Sequence, residues 1–144
     1  MYVVDASVFI SRLVPGDKNY IPSQDWFRLV RTQGSLMYSP NLLLPEVAGP
    51  ISRLVDSTTA SWAVAALGRM RRLRLVRLDG RLARRAAQLA GDLRLRGADS
   101  VYVAVAHLLG MALVTWDSEQ QTRGIGAVAV RSPADLVANP GFDL

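Results

Sequence analysis

The sequence contains no cysteine, one histidine and one lysine, and these shortages remove whole classes of chemistry. Without cysteine there are no disulfides, no thiolate nucleophile and no cysteine-based zinc site. A histidine-rich metal cluster cannot form around His107 alone, and nothing else in the sequence marks a Ser-His-Asp site. Any metal site must therefore rely on oxygen ligands, which suit Mg²⁺ and Mn²⁺.

Long apolar runs are also missing. The longest apolar stretches are interrupted by Arg, Asp or Pro before they reach the roughly 18 residues that a membrane span requires. The segment Met1–Asp5 lacks the basic region and the small-residue cleavage site of a signal peptide. These absences predict a cytoplasmic protein that does not enter a membrane, and 144 residues suit one domain over positions 1–144.

Positive charge, by contrast, is plentiful. The net charge is +5, and sixteen of the seventeen basic residues are arginine. Ten of these arginines lie between Arg69 and Arg96, a stretch that contains only two acidic residues. Arginine binds phosphate through a planar fork of donors, so the cluster favours nucleic acid as a partner. Solvated helix faces explain any single arginine equally well, and only the cluster as a whole carries weight.

Short apolar segments alternate with amphipathic segments along the chain, without a linker or repeat. The expected strands lie at residues 2–4, 36–38, 75–78, 112–115 and 127–130. The expected helices lie at residues 6–13, 23–32, from about 41 with a kink at Pro50, 58–72, 80–95, 99–109 and from 133. This alternation predicts an α/β fold, a mostly parallel sheet of about five strands covered by helices on both faces.

Four acidic residues stand out by position. Asp5 and Asp117 follow expected strands, and ligand sites of such sheets lie beyond the carboxyl ends of the strands. Asp99 begins a helix, and Glu46 lies in the apolar run Leu42–Ala48, where burying a carboxylate is costly unless it is paired or binds a cation. Each residue alone has an ordinary explanation as a turn residue, a helix cap or a solvent-facing glutamate. Together they indicate a cation site.

Four segments that contain these acids resemble the motifs of a known family. They are Val3-Val4-Asp5-Ala6-Ser7, Leu43-Leu44-Pro45-Glu46-Val47, Ala98-Asp99-Ser100-Val101-Tyr102-Val103-Ala104-Val105-Ala106 and Leu113-Val114-Thr115-Trp116-Asp117. In order and spacing they resemble the four acidic motifs of PIN-domain proteins, and the resemblance spans essentially the whole chain. Within that family, the length and the single-domain build are most similar to VapC-type toxins, which are ribonucleases of toxin–antitoxin systems.

The resemblance implies a PIN-like α/β/α sandwich and a ribonuclease that depends on Mg²⁺ or Mn²⁺. It implies a catalytic set of Asp5, Glu46, Asp99 and Asp117. Within this set, Asp5, Asp99 and Asp117 would bind the metal, and Glu46 would orient or deprotonate water. The remaining matches are supporting hydroxyl groups, Ser7 and Thr115. Relatives often carry a further acid or Asn just beyond the fourth motif, and the candidates here are Glu119, Gln120 and Gln121.

The resemblance also implies partners, namely an RNA substrate, a small antitoxin and a second copy of the chain in a homodimer. The residues proposed for contact with RNA are Arg69, Arg71, Arg72, Arg96 and Trp116. Three aromatic residues are candidates for stacking on unpaired bases, namely Trp62, Trp116 and Tyr102. For Trp62, packing in the core is the favoured expectation.

Two alternative readings differ in class. A PIN-like scaffold could bind nucleic acid or protein without cutting, although the presence of all four acids argues against it. A phosphotransfer domain built on a strand-end aspartate fits poorly. A haloacid-dehalogenase-type enzyme requires an Asp where Ser7 stands, and a receiver requires an acidic pair and a lysine, while Lys18 is the only lysine.

Overall fold

The computed structural model describes residues 1–140, in which short strands alternate with helices. The strands are β1 (Tyr2–Val4), β2 (Met37–Pro40), β3 (Leu73–Val76), β4 (Ala112–Val114) and β5 (Val130–Arg131). The helices are α1 (Ala6–Leu13), α2 (Tyr20–Gln33), α3 (Leu43–Leu54), α4 (Ser57–Arg69), α5 (Gly80–Leu93), α6 (Gly97–Leu109), α7 (Ser118–Arg123) and α8 (Pro133–Ala138), with a 3-10 turn at Gly124–Gly126. Within the described range, none of these helices combines the length and the apolar character that crossing a membrane requires.

The five strands form one sheet in the order β3-β2-β1-β4-β5, and every neighbouring pair is parallel. The chain adds strands on one side of β1 and then returns to the other side, so the strand order reverses between β1 and β4. These two strands pair with Val4 opposite Val114. The predicted α/β fold with a parallel sheet of about five strands is confirmed.

The core is centred on β1 and β4. Val3, Val4 and Leu113 are fully buried. Because neighbouring strand residues point to opposite faces, the burial of both Val3 and Val4 means that both faces of the sheet are covered. Helix α6 packs on β1, β2 and β4, and its residues 99–106 are all buried. This central helix therefore holds Asp99 at a fixed place relative to the sheet.

Four helices begin at an aspartate whose side chain accepts a hydrogen bond from a backbone amide of the first turn. These N-caps are Asp5 for α1, Asp56 for α4, Asp79 for α5 and Asp117 for α7. Two of the predicted site residues, Asp5 and Asp117, thus also determine where a helix begins. A role as a helix cap and a role in the site are therefore compatible at these two positions. The acid that the sequence offered as a cap, Asp99, instead lies in the first turn of α6, whose N-cap is Arg96.

Two strands and one helix depart most from the expected pattern, while the other elements differ from it only at their ends. Strand β3 begins at Leu73, which is buried and pairs with Met37, so the expected range of 75–78 lies two residues too late. Strand β5 is Val130–Arg131, because the preceding Ala127 and Val128 instead donate their amides to the carbonyl of Gly124. Helix α7 was not expected at all. Its absence from the prediction matters because α7 supplies a residue of the site.

Candidate active site

Asp5 and Thr115 immediately follow the paired ends of β1 and β4. The backbone amide of Asp5 donates to the carbonyl of Val114 at 3.0 Å, which places the two chain segments side by side beyond the sheet. This edge is the point where the strand order reverses, and such points open a crevice at the carboxyl ends of the strands. The site expected from sequence therefore lies where the topology provides room for a ligand.

Asp5 is the most deeply buried of the four predicted acids, at 5% exposed. Its Oδ2 accepts from the amide of Ser7 at 3.0 Å and from Thr115 Oγ1 at 3.2 Å, and its Oδ1 accepts from Gln120 Nε2 at 3.0 Å. Burial raises the pKa of Asp5, against the lowering effect of the Ser7 and Gln120 hydrogen bonds, and the Asp99 carboxylate adds to the rise. A nearby cation would favour the ionised form.

Arg96 connects the other two aspartates. It is the N-cap residue of α6, and its side chain is 62% exposed. Its Nε donates to Asp99 Oδ2 at 2.7 Å, and its Nη2 donates to Asp117 Oδ2 at 2.6 Å. The same Nε lies 3.3 Å from Glu119 Oε2. Asp99, followed by Asp117, raises the pKa of Arg96. The guanidinium therefore balances negative charge on one side of the site.

Gln120 connects Asp5 with Asp99. It is fully buried, and its Nε2 donates to Asp5 Oδ1 and to Asp99 Oδ1, each at 3.0 Å. Two oxygens bonded to one nitrogen can be no farther apart than twice that length. The two carboxylates, which come from positions 94 residues apart in the chain, are thus held side by side. The other end of the amide, Oε1, is buried and has no hydrogen-bond partner among the residues that the structure describes.

The three candidates beyond the fourth motif are thereby distinguished. Gln120 reaches the predicted ligands directly, whereas Glu119 approaches Arg96 and lies 3.8 Å from Arg123. Gln121 turns away and donates to the backbone carbonyl of Thr115 at 2.9 Å. Sequence reasoning named Gln120 among three possibilities without choosing it. A helix prediction for residues 118–123 would have identified the side chain that faces back towards the sheet.

Glu46 lies in the first turn of α3 and is half-buried. Burial raises the pKa of Glu46, and the carboxylates of Asp5 and Asp99 raise it further. The hydroxyl of Tyr102 is close enough to lower the pKa of Glu46, but no hydrogen bond of normal geometry joins the two groups. Burial raises the pKa of Tyr102 as well, so its hydroxyl stays protonated and can donate to Glu46. A glutamate with a raised pKa is suited to proton transfer.

The predicted hydroxyl residues support the aspartates. Thr115 Oγ1 donates to Asp5 Oδ2 and accepts from the amide of Asp117 at 2.9 Å. Ser7 Oγ accepts from the amide of Trp116 at 3.0 Å and lies 3.4 Å from Thr115 Oγ1. These bonds tie the start of α1 to the segment that follows β4. The structure therefore brings Ser7 and Thr115 to the positions that a supporting role requires.

All four acids line one open cavity of about 580 Å³. The other lining residues include Ser7 and Ile10 of α1, Gly49, Pro50 and Arg53 of α3, and Arg96. The cavity thus carries negative charge at its base and two guanidinium groups beside it. A single-stranded polyanion could approach through the positive rim and reach the carboxylates.

The donor set fits a divalent cation, although the side chains do not form a complete cage. Within residues 1–140, no three Asp, Glu or His side chains lie close enough together to form one. Instead, Asp5 and Asp99 share one amide donor, and Asp99 and Asp117 share one guanidinium. Carboxylate oxygens are the ligands that Mg²⁺ and Mn²⁺ prefer. Asp5, Asp99 and Asp117 could hold such an ion.

The arginines proposed for RNA contact are not all near this cavity. Arg96 lines it, but Arg69 ends α4, and Arg71 and Arg72 precede β3. The carbonyl of Arg72 accepts from the amide of Met37 at the start of β2, which places these residues at the amino end of the strands. The structure does not bring them together with the acids.

The aromatic residues considered for contact with RNA differ in how exposed they are. Trp62 is 74% exposed on α4, so the expectation that it packs in the core is wrong. Tyr102 is fully buried and cannot stack on a base, which corrects that expectation too. Trp116 is half-buried, and its indole Nε1 donates to Ser23 Oγ at 2.8 Å. Trp116 borders the aspartate segment and remains a candidate for contact with RNA.

The fold and the cavity define a class, an α/β protein with a carboxylate-lined site at the switch point of a parallel sheet. Residues 2–124 match the PIN domain family. The chain belongs to the PIN domain family, and the resemblance inferred from the four motifs is confirmed. The comparison with curated proteins gives no match.

Several solved structures share the fold. VapC20 from Mycobacterium tuberculosis, described as a Sarcin-Ricin loop cleaving toxin, is 20% identical, with a TM-score of 0.75 over 91% of this chain and 99% of that chain. FitAcB from Neisseria gonorrhoeae is 18% identical, with a TM-score of 0.71 over 92% and 98%. A toxin–antitoxin complex from Klebsiella pneumoniae is 15% identical, with a TM-score of 0.66 over 92% and 98%. At these identities the likeness establishes the fold.

Proposed function

We propose that this chain is an endoribonuclease that depends on Mg²⁺ or Mn²⁺. The observation that carries the proposal is the convergence of Asp5, Glu46, Asp99 and Asp117 on one cavity beside Arg96. Membership of the PIN domain family supports the same conclusion. So does the described activity of VapC20, which is that of a toxin cleaving the Sarcin-Ricin loop.

The acids take different roles in this proposal. Asp5, Asp99 and Asp117 hold the cation, and Glu46 orients a water molecule or accepts its proton. When bound, the cation makes water a stronger nucleophile and neutralises charge that develops on the phosphate. Thr115 and Ser7 keep the carboxylates in place through the hydrogen bonds described above. The expected products carry a 5′ phosphate and a 3′ hydroxyl, and the ribose 2′-OH is not required as a nucleophile.

In this proposal Arg96 can bind either the aspartates of the site or a phosphate of the RNA. Its guanidinium pairs with Asp99 and Asp117, but its side chain is largely exposed and can turn towards the cavity mouth. A cation bound by the same aspartates would displace it. The freed guanidinium would then be available to a phosphate of the RNA, for which its planar fork is well suited.

We further propose that the chain is the toxin of a type II toxin–antitoxin pair and forms a homodimer. The structures that share its fold include toxin–antitoxin complexes. The apolar residues Trp26 and Val30 of α2 are buried in the core, whereas Leu54 at the end of α3, the following Val55 and Trp62 on α4 are exposed. The exposed group is the better candidate for a protein–protein surface.

A cleavage assay tests the proposed activity. Wild-type protein and Asp99→Asn are incubated with single-stranded RNA in Mg²⁺, in Mn²⁺ and in EDTA. We expect metal-dependent cleavage by the wild type, with 5′ phosphates on the products, and loss of cleavage in Asp99→Asn. Asp92→Asn is the matched control, because Asp92 is exposed on α5 and takes no part in the cavity. Equal cleavage by wild type and Asp99→Asn, or cleavage in EDTA, would contradict the proposal.

One observation favours a second candidate, a PIN-like scaffold that binds RNA or protein without cutting. The carboxylates already have internal partners in Arg96 and Gln120, which makes the arrangement tolerable without an added ion. Thermal melting discriminates between the two candidates. A nuclease site should stabilise the fold as Mg²⁺ or Mn²⁺ is added, whereas the scaffold should melt at one temperature throughout the titration.

A further inference from the structure

We infer that Gln120 is a positioning residue, whose side-chain amide sets the spacing of Asp5 and Asp99 and thereby prepares both carboxylates to receive a divalent cation. The inference rests on the proposed function in so far as the two aspartates are ligands. The bridge itself rests on geometry alone. Both hydrogen bonds from Gln120 Nε2 are 3.0 Å long, and the whole side chain is buried.

The buried amide is difficult to explain by packing. Gln120 is fully buried, and an apolar side chain of similar volume at this position would avoid the cost of removing an amide from water. Its Oε1 makes that cost larger, because it is buried and finds no partner within residues 1–140. What the amide provides in return is an NH₂ group, whose two hydrogens can serve two carboxylates at once.

The orientation of the amide follows from electrostatics. With Nε2 directed at the aspartates, two negatively charged oxygens share one donor. With Oε1 in that place, three oxygens would face each other with no hydrogen between them unless a carboxyl is protonated. The neighbouring Asp117 adds a constraint, because its Oδ1 accepts from the backbone amide of Gln120 at 2.9 Å. One residue thus contacts all three predicted metal ligands.

Short helix α7 makes this contact possible. Asp117 caps the helix, and Gln120 comes three residues later, where a side chain points back towards the sheet. A glutamine is long enough to reach both aspartates from there, while Glu119, one position earlier, is directed at Arg96. The first turn of α7 therefore has two effects. Its cap holds Asp117 in place, and its Gln120 side chain aligns Asp5 with Asp99.

Three variants test the inference, with Mn²⁺ affinity measured by calorimetry and thermal melting measured in EDTA. Gln120→Met keeps the length of the side chain and removes the donor. Because partners that hold metal ligands typically contribute 10–100-fold to affinity, we expect Mn²⁺ to bind Gln120→Met about 10–100-fold more weakly than wild type. Gln121→Met is the matched control on the same helix, since Gln121 bonds to a backbone carbonyl and not to the aspartates. Its Mn²⁺ affinity should stay within about twofold of wild type.

Gln120→Glu is the second variant at the bridge and carries the test if Gln120→Met does not fold. A third carboxylate beside Asp5 and Asp99 should lower the melting temperature in EDTA below that of wild type, because three like charges then meet without the amide donor of Gln120 between them. Added Mn²⁺ should raise that temperature by more than it does in wild type, because the new oxygens supply a further ligand.

Three results would overturn the inference. The first is a Mn²⁺ affinity of Gln120→Met equal to that of wild type, and the second is no Mn²⁺ binding by the wild type. The third is a melting temperature of Gln120→Glu in EDTA equal to or above that of wild type. Failure of the proposed function has a different signature, since RNA would remain uncut although Mn²⁺ binds and the Gln120 variants behave as expected.

Discussion

Asp5 and Asp79 occupy similar positions in the local chain, but their surroundings shift their pKa values in opposite directions. Each follows a parallel strand, and each accepts a backbone hydrogen bond as the N-cap of a helix. Asp79 is exposed, and the amide of Leu82, followed by nearby positive charge, lowers its pKa. Asp5 is buried, and that burial raises its pKa. The same short pattern of strand, aspartate and helix thus produces a cap in one place and a candidate ligand in the other.

The difference comes from what the rest of the chain places nearby. Asp79 has the solvent and its own helix, whereas Asp5 meets Thr115 from β4, Gln120 from α7 and the carboxylate of Asp99 from α6. A cap therefore needs only local sequence, while a ligand site needs distant segments. The carboxyl end of β1, beside β4, is where the topology supplies them.

The largest expected effect is a difference in RNA cleavage between a variant of Asp5 and a variant of Asp79. Asp5→Asn should reduce metal-dependent RNA cleavage by roughly 10²–10³-fold, because the site loses a negative ligand. Asp79→Asn should stay within about twofold, because asparagine also caps helices and Asp79 lies outside the cavity. Initial rates on one RNA in Mn²⁺ give both values. Similar losses in the two variants would mean that capping, and not the site, accounts for the effect.

A smaller effect is expected from the hydroxyl that distinguishes the surroundings of Asp5. Thr115→Val keeps the shape of the side chain and removes bonds to Asp5 and to the amide of Asp117. Cleavage should fall about 10–100-fold. Thr122→Val removes a hydroxyl that bonds only within α7 and should have little effect on rate. An unchanged cleavage rate in Thr115→Val would mean that Asp5 does not need the hydrogen bond from Thr115.

The pH dependence of stability should have opposite sign at the two positions in EDTA. The raised pKa of Asp5 means that folding favours its protonated form, so wild type loses stability relative to Asp5→Asn as pH rises above 3.8, the ordinary value. The lowered pKa of Asp79 gives stabilisation that is present above 3.8 and disappears as pH falls below it.

Melting curves from pH 4 to pH 7 check this difference. The advantage of Asp5→Asn over wild type in melting temperature should increase across the window. The disadvantage of Asp79→Asn should be nearly constant from about pH 5 upwards, because both its folded and unfolded pKa values lie lower. An advantage of Asp5→Asn that shrinks with rising pH would contradict the raised pKa.

The smallest effect is expected at the amino ends of the strands. The double variant Arg71→Gln/Arg72→Gln removes two guanidinium groups from the edge of the sheet opposite the acids. At moderate salt, cleavage should change by no more than about twofold, since exposed charges beyond a Debye length are screened. A tenfold loss would mean that the RNA extends around the sheet to these residues.

The sequence was most informative where a feature is local. Strand β1 is a buried apolar triplet, and α1 begins at the residue after Asp5, as predicted. The central position of α6 follows from its nearly unbroken apolar run after Asp99. Because parallel strands bring their carboxyl ends to one edge, the convergence of the acids could be expected from topology before any distance was known.

The features that escaped prediction depend on distant partners. Helix α7 has six residues, mostly polar, and too few turns for an apolar period to appear. The bridge from Gln120 requires Asp5 and Asp99 to be in place already, which no local pattern encodes. The exposure of Trp62 is equally non-local, because it depends on which face of α4 finds a neighbour. The arginine count likewise could not indicate that Arg96 lies at the cavity and Arg72 at the far edge.

Pro50 in α3 has a consequence for the wall opposite the aspartates. Proline has no N–H, so the main-chain carbonyl of Glu46, one turn earlier, lacks its usual intrahelical donor. Glu46, Gly49 and Pro50 line the cavity together, and the guanidinium of Arg53 lies close to Gly49. The turn from Glu46 to Pro50 thus lacks one of the hydrogen bonds that stiffen an α-helix, in the wall of the cavity that carries the residue proposed to accept a proton.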